Sequence, residues 1–311
     1  MILIIVKLFR AWRSRQVTKP VTEPVMVAAG RQVTKPGTEP VMVAANRLAA
    51  SRGPAALLIH QTGYDLRASF RNPRARFFTF FFPVLLLLIF ASVFGHGTTV
   101  VDGVTVKLSR FYVPGILAMS IITAAYGGLV VSVATARETG VLKRRRATPA
   151  PAAVLVCGQA LSTLVITVIM ATILLVIARF GYHVGIAAGG LGAIAITVLV
   201  GTLAFACLGY AVAGMIGSVD AAQPIVQATT MPLYFISGVW IPTQHLGSTL
   251  RSLAAVFPVQ HLAAALHLAS VRGSFTSALS PQDLAVLAVW AIGALGVAAW
   301  RFSWLPSTAA A

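Results

Sequence analysis

Long apolar runs separated by short polar segments dominate the pattern of hydrophobic and polar positions along the chain. A helix needs about 20 residues to cross ~30 Å of hydrocarbon, and six runs have that length. They cover residues 77–97, 112–134, 152–178, 186–217, 225–243 and 284–304. Apart from Arg301, these runs contain no Asp, Glu, Lys or Arg. The pattern predicts an all-α integral membrane protein with a six-span domain over residues 74–304 and a short tail at 305–311.

One further apolar stretch, residues 250–269, precedes the last predicted span. Arg251, Pro258, His261 and His267 interrupt it. Irregular backbone at membrane depth is tolerated where protein surrounds it. We therefore expect a re-entrant hairpin of two short helices on the outer face, with a full span as the alternative.

The segment 51–73 has the periodicity of an amphipathic helix. Pro54 suits a first helical turn, and Ser51 lies upstream as a possible cap. On a helical wheel one face carries Leu58, Ile59, Thr62, Leu66 and Phe70, and the opposite face carries His60, Gln61, Asp65, Arg67 and Arg71. Such a helix is predicted to lie in the membrane interface.

The first 50 residues contain a tandem repeat. Residues 15–29 read RQVTKPVTEPVMVAA and residues 31–45 read RQVTKPGTEPVMVAA. Two copies of this length, each with two prolines, cannot bury a core of their own. We expect residues 1–50 to form a disordered basic tail.

Composition and charge agree with a membrane protein. The chain is 58% hydrophobic and 10% charged, too few charges to solvate an ordinary soluble domain. Of its 24 Lys and Arg residues, 13 precede Phe77 and five lie in the loop 137–149. Basic loops favour the cytosolic side. We therefore expect this loop and both termini in the cytosol, residues 98–110 and 243–282 outside, anionic lipids as partners and no nucleic acid.

Enzymatic, metal-binding and ion-coupled functions have little support in the sequence. The histidines show no HExxH spacing, and no GxxxxGK[ST] loop is present to bind nucleotide phosphates. We expect no catalytic, metal or cofactor site, and no hydrolysis of ATP by this chain itself. The missing carboxylates within the spans also disfavour an ion-coupled pump.

Several other residues can be interpreted either as functional residues or as structural ones. Ser237 and Gly238 are expected to pack helices rather than to form a hydrolase site, because no span places a histidine suitably for Ser237. His261 and His267 either line a substrate exit or are ordinary interfacial histidines. Prolines in the spans, Pro83, Pro232 and Pro242, are expected to kink or break their helices. Gly185 and Gly189 form a GxxxG pair, a weak indication of close helix contact.

Three segments resemble one family of membrane proteins. RETGVLKRRRATP, residues 137–149, resembles the Arg-Glu-x-Gly-x-Leu-Lys segment of permease subunits in type 2 ATP-binding-cassette exporters. RNPRARFFTFFFPVLLLLIFASVFG, residues 71–95, resembles that family's entry into the first span, and FISGVWIP, residues 235–242, its Ser-Gly-x-x-x-Pro signature. The family includes drug, polysaccharide and teichoic acid exporters, among them daunorubicin-resistance permeases. The chain departs from it at Gly247, where a second proline is common.

The resemblance implies an exporter subunit in the plasma membrane, the inner membrane in bacteria, that carries amphipathic drug-like or lipid-like molecules. It implies a permease dimer and a separate cytosolic ATPase subunit that binds the ATP. The loop that docks on this ATPase would comprise Arg137, Glu138, Gly140, Leu142, Lys143, Arg144, Thr148 and Pro149. Glu138 and Gly140 are expected at a helix end, where glycine permits a left-handed cap. Ser237, Gly238 and Pro242 would belong to a gate or path. A membrane scaffold without transport activity, or a secondary transporter, remains the alternative function.

Overall fold

The computed structural model describes residues 54–141 and 152–301, and its architecture there is a bundle of helices with one small β-hairpin. The fold is therefore that of an all-α membrane protein. The predicted tail and repeats, 1–50, and the end of the chain, 305–311, lie outside the described residues.

The chain enters the bundle through the predicted amphipathic helix, α1, Pro54–Arg71. Its inner side differs from the wheel prediction: Gln61, assigned to the polar face, lies against Gly158 together with Thr62, whereas Ile59 is 71% exposed. Gly158 allows this approach because a Cβ there would overlap the Gln61 side chain. The helix is thus attached to the neighbouring bundle by polar residues and leaves apolar ones outside.

The first predicted span is shorter than expected. A four-residue helix α2, Pro73–Arg76, leads into a π-helical turn, Phe77–Phe81, and then α3, Phe82–Val93. Pro83 lies in the first turn of α3, directly after the π-helical turn. The prediction that Pro83 kinks or breaks its helix agrees with this change of helix type, because proline lacks the N–H that would continue the regular hydrogen-bond pattern.

A β-hairpin, β1 Thr98–Val101 and β2 Val104–Lys107, follows α3. The strands pair antiparallel through a two-residue turn in which Asp102 and Gly103 have φ of 50° and 75°. These positive values are the ones that a two-residue hairpin turn with Asp-Gly favours. The predicted outer loop 98–110 is therefore ordered.

Four helices are long and apolar enough to cross a membrane among the residues that the structure describes. Helix α4, Leu108–Ile122, continues through a π-helical turn, Thr123–Gly127, into α5, Gly128–Glu138, and these make the first of them. The others are α6, Ala152–Gly181, α7, Ala188–Met215, and α12, Pro281–Arg301. Large buried side chains from these helices, from α3 and from the segment 258–271 form one core, with members such as Leu87, Ile116, Leu117, Ile121, Ile122, Met170, Leu174, Leu262, Leu266 and Leu287.

Helix α8, Val219–Ile236, differs most from its predicted bounds of 225–243. It begins earlier because Ser218 caps it, with the side chain accepting from Ala221 N, and it ends at the Ser-Gly pair. Pro224 and Pro232 lie inside it, whereas Pro242 lies beyond its end and precedes a short 3₁₀ turn, Thr243–His245. Neither α8 nor the 17-residue stretch Phe77–Val93 is among the four long apolar helices, so the structure does not confirm a count of six.

Two short helices replace the apolar stretch at 250–269, as predicted. Helix α9, Ser248–Ala254, and α10, Pro258–Val271, meet at 96°. Pro258 begins α10, and Trp290 of α12 donates to Val256 O at this bend. A bend of this size excludes one straight span and is typical of a broken span or a re-entrant pair.

Small residues bring α10 and α7 together. Gly201 in the middle of α7 lies against the Leu262 side chain, and Gly190 near its start lies against Ala269 O. The GxxxG pair predicted close helix contact at Gly185 and Gly189. Gly189 does pack closely, against the backbone just before α11, Phe275–Ala278. Gly185 does not, because a Cβ added there would have nothing within 4 Å. Helix α10 thus runs antiparallel to α7 and ends beside its first turn.

Candidate functional site

Arg137, at the end of α5, is buried and binds the last turn of α7. Its guanidinium donates to Ile216 O at 2.8 Å and to Ala213 O, and only 7% of the residue is exposed. The last carbonyls of a helix lack N–H partners within that helix and carry the negative end of its dipole. A planar, permanently charged guanidinium satisfies two such carbonyls at once.

Glu138, the next residue, binds the other side of the same junction. Its Oε1 accepts a hydrogen bond from Val219 N at 3.2 Å, at the first residue of α8. The N-terminus of a helix has free N–H groups and the positive end of the dipole, so a carboxylate is favourable there. Consecutive residues of opposite charge thus bind consecutive helix ends of opposite polarity. We call Arg137 and Glu138 together the Arg-Glu clamp.

Gly140 ends this segment with φ of 68°. Its N–H bonds back to Arg137 O at 3.2 Å, which closes the last turn after Glu138. The prediction of a left-handed glycine at this helix end is confirmed. The remaining predicted coupling residues, Leu142, Lys143, Arg144, Thr148 and Pro149, lie outside the described residues.

The geometry assigns Arg137 an intramolecular contact, which the sequence did not indicate. A buried guanidinium bound to two carbonyls of its own chain is not available to a partner protein, whereas Glu138 is exposed apart from its contact with Val219. One feature of the sequence does indicate where α8 begins, because Ser218 followed by Asp220 is a typical helix start. Nothing in the sequence paired that start with Glu138.

The second candidate region is the segment from Ser237 to Pro242, here called the Ser-Gly turn. Ser237 ends α8, and Gly238 follows with φ of 78°, the left-handed conformation that commonly ends a helix. Ser237 is 1% exposed, and its hydroxyl has no hydrogen-bond partner among the described residues. The predicted gate residues therefore form a buried bend rather than the interior of a span.

His267 of α10 contacts this turn directly. Its Nε2 lies 3.0 Å from Gly238 O, and its ring stacks on Phe111 of α4 with centroids 4.5 Å apart. The residue is 7% exposed. His267 is therefore buried within the protein, and the sequence did not predict its bond to the turn.

His261, the other histidine of α10, has a different environment. Its Nδ1 lies 2.7 Å from Asp283 Oδ1, and its Nε2 lies 2.9 Å from Ala255 O. These contacts join α10 to the start of α12 and to the bend after α9. His261 therefore has a structural contact on each ring nitrogen.

Three contacts attach the hairpin region to the elements around the Ser-Gly turn. Arg272 pairs with Asp102, with Nε 2.8 Å from Oδ2, and Gln244 donates to Thr99 Oγ1 at 2.8 Å. Arg110 donates to Ser270 O at 2.6 Å. The segment 98–110 is thus fixed across the end of α10.

Comparison with known families matches residues 61–269 to the family model described as ABC-2 type transporter. A search of curated proteins finds no match. The family match covers about two thirds of the chain and includes all of the described clamp, the Ser-Gly turn and His267. The chain therefore belongs to the ABC-2 type transporter family, as a membrane-spanning permease subunit.

Proposed function

We propose that this permease exports amphipathic drug-like or lipid-like molecules, driven by a separate cytosolic ATPase subunit. It would act as a dimer with two ATPase subunits, because one permease chain supplies half of a translocation path. ATP would be bound and hydrolysed by the partner. The loop after Glu138 and both termini would face the cytosol.

The Arg-Glu clamp is the observation that carries this proposal. The loop beginning at Gly140 is continuous with α5, and the clamp joins the end of α5 to α7 and α8. A displacement of this loop by a partner would therefore move the ends of α5, α7 and α8 together. Charged contacts at helix ends suit such a junction because they are directional and resist separation.

Aromatic residues near the Ser-Gly turn support an amphipathic cargo. The rings of Phe235 and Trp240 have centroids 4.8 Å apart, and those of Tyr234 and Trp240 are 5.7 Å apart. Phe235 is 45% exposed. Exposed aromatic surface of this kind suits the apolar body of an amphipathic molecule.

Helices α1 and α12 offer surfaces for lipid and for a second copy. Arg67 and Arg71 are exposed on α1 and would meet anionic headgroups. On α12, Val289 is 68% exposed and Ile292 59%. Such apolar surface in a membrane helix faces lipid or another helix, so it is compatible with either partner.

Reconstitution tests the proposal. The full chain would be purified together with the ATPase that accompanies it and placed in liposomes. The probes would be a fluorescent cationic dye for drug-like cargo and a short-chain fluorescent phospholipid for lipid-like cargo. ATP-dependent movement of either probe, lost in an ATPase-inactive partner, is expected. A chain that copurifies with no ATPase and moves neither probe would favour the scaffold, and movement driven by a proton gradient without ATP would favour a secondary transporter.

A further inference from the structure

Helix α8 is held at both ends by side chains from other parts of the chain. Glu138 binds Val219 N at its start, and His267 binds Gly238 O just after its end. Between these ends one face is buried, with Ala222, Val226, Thr230 and Tyr234 at intervals of four residues. The opposite face is exposed.

Two neighbouring elements hold the Ser-Gly turn through successive carbonyl groups. His267 of α10 contacts Gly238 O, and Gly115 of α4 lies so close to Val239 O that a Cβ at position 115 would overlap it. His267 is itself fixed, since Phe111 stacks on its ring and Ser270 Oγ donates to its carbonyl at 2.7 Å. His267 thus gives the turn a side-chain hydrogen bond from a well-supported position on α10.

In the hydrogen bond between His267 and Gly238, the histidine is the donor. A carbonyl oxygen only accepts hydrogen bonds, so the Nε2 that faces Gly238 O must carry the proton. A glutamine at position 267 would keep a donor at similar reach without the aromatic ring. A phenylalanine would keep the ring on Phe111 without the donor. These two substitutions separate the hydrogen bond from the stacking.

We propose that His267 is a positioning residue that fixes the far end of α8, so that a movement entering at Glu138 reaches the Ser-Gly turn as a displacement of the whole helix. Without the hydrogen bond, the turn would change conformation locally, and the displacement of α8 would not be transmitted beyond it. This inference rests on the proposed coupling of the permease to an ATPase. It assigns the transmission of movement along α8 to the contact between His267 and Gly238, which lies outside the loop that follows Glu138.

The test combines a local and a functional measurement on the full chain. Ser237→Cys, in a background with Cys157→Ala and Cys207→Ala, reports opening of the turn through its reaction rate with N-ethylmaleimide in lipid nanodiscs. We compare this reporter alone with the same reporter carrying His267→Phe, His267→Gln or His267→Asn, whose amide is too short to reach Gly238 O. A neutral hydrogen bond contributes about 1 kcal/mol, or about fivefold in population. We therefore expect about fivefold faster labelling for Phe and Asn, and a rate near that of the reporter alone for Gln.

The functional arm uses the same substitutions with Ser237 intact. Probe transported per ATP hydrolysed should fall about fivefold for His267→Phe and His267→Asn, while the ATPase remains bound, and His267→Gln should restore it. Equal labelling rates and equal transport ratios in all variants would overturn the inference. An equal fall of the transport ratio in His267→Gln and His267→Phe would also overturn it, because the effect would then come from the shape of the side chain and not from its hydrogen bond. If the unsubstituted chain shows no ATP-dependent transport, the proposed function fails, while the labelling arm still decides whether the contact holds the turn.

Discussion

Arginine contacts differ between the two ends of helix α7. At its last turn, Arg137 is 7% exposed and binds two carbonyls, whereas beside its first turn the side chain of Arg272 is 42% exposed and pairs with Asp102. A buried charge that loses its partners is costly, but an exposed ion pair contributes little because water and salt screen it. The contacts of Arg137 are thus expected to resist separation, whereas the Arg272–Asp102 pair is expected to contribute little to the stability of the hairpin end.

The largest expected effect tests whether these ends lie on opposite sides of the membrane. Single cysteines at Asp102 and at Lys143, in a background with Cys157→Ala and Cys207→Ala, would be exposed to an impermeant thiol reagent on intact cells. We expect Asp102→Cys to be labelled and Lys143→Cys to be labelled only after permeabilisation, because basic loops stay inside. Labelling of Lys143→Cys from outside would contradict the topology.

The next effect concerns the buried arginine. Arg137→Ala should lower the free energy of unfolding by about 3 kcal/mol, since two hydrogen bonds from a charged donor are lost. Arg137→Lys should lose less, because it keeps the charge without the planar fork. The measurement is thermal unfolding in detergent, with the exposed Arg179→Ala as control. An Arg137→Ala chain as stable as the control would show that the clamp contributes nothing.

Glu138→Ala should affect coupling more than folding. Removing a carboxylate from a helix N-terminus costs about 1 kcal/mol, so the chain should still fold and insert. Substrate-stimulated ATP hydrolysis in liposomes should fall about fivefold, because a loss of about 1 kcal/mol in coupling corresponds to about that factor. Asp220→Ala, in the first turn of α8, removes the same charge without the bond to Val219. Asp220→Ala should therefore hydrolyse ATP like the parent, and if Glu138→Ala does so too, the clamp is only a structural contact.

Gly140→Leu should uncouple the loop for a different reason. At φ of 68° a leucine is strained by about 1–2 kcal/mol, so the turn after Glu138 should shift. Gly140→Asn is the matched control, because asparagine tolerates this conformation. Equal substrate-stimulated hydrolysis in the two variants would show that the left-handed turn is not required.

The smallest effects belong to the exposed contacts and the tail. Asp102→Asn should change stability by less than about 1 kcal/mol, and a double-mutant cycle with Arg272→Gln in low and high salt would measure the coupling. A larger, salt-independent value would show that the hairpin end is held as firmly as the clamp.

Deletion of residues 15–45 should leave insertion and transport close to those of the parent chain, because the repeats can form no core and lie outside the family match. Transport of the two fluorescent probes at matched expression measures this. Complete loss of transport would give the tail a role that its composition does not indicate.

The sequence by itself determined the helical membrane class, the presence of the entry helix, the short helix pair before α12 and the left-handed glycine after Glu138. These follow from local periodicity, from proline and glycine chemistry and from segments of family resemblance, all of which act over a few neighbouring residues. It also placed the fifth span too late, because its apolar run continues past the helix end at Ile236.

Only the tertiary structure decided what the polar residues contact. Arg137 and Glu138 bind groups near positions 213 to 219, and His267 binds the carbonyl of Gly238. Hydropathy records that a residue is polar but not which distant helix end lies beside it, since such pairing depends on how the helices pack. The burial of Arg137 and the anchoring of α8 at both ends are therefore properties of the folded chain.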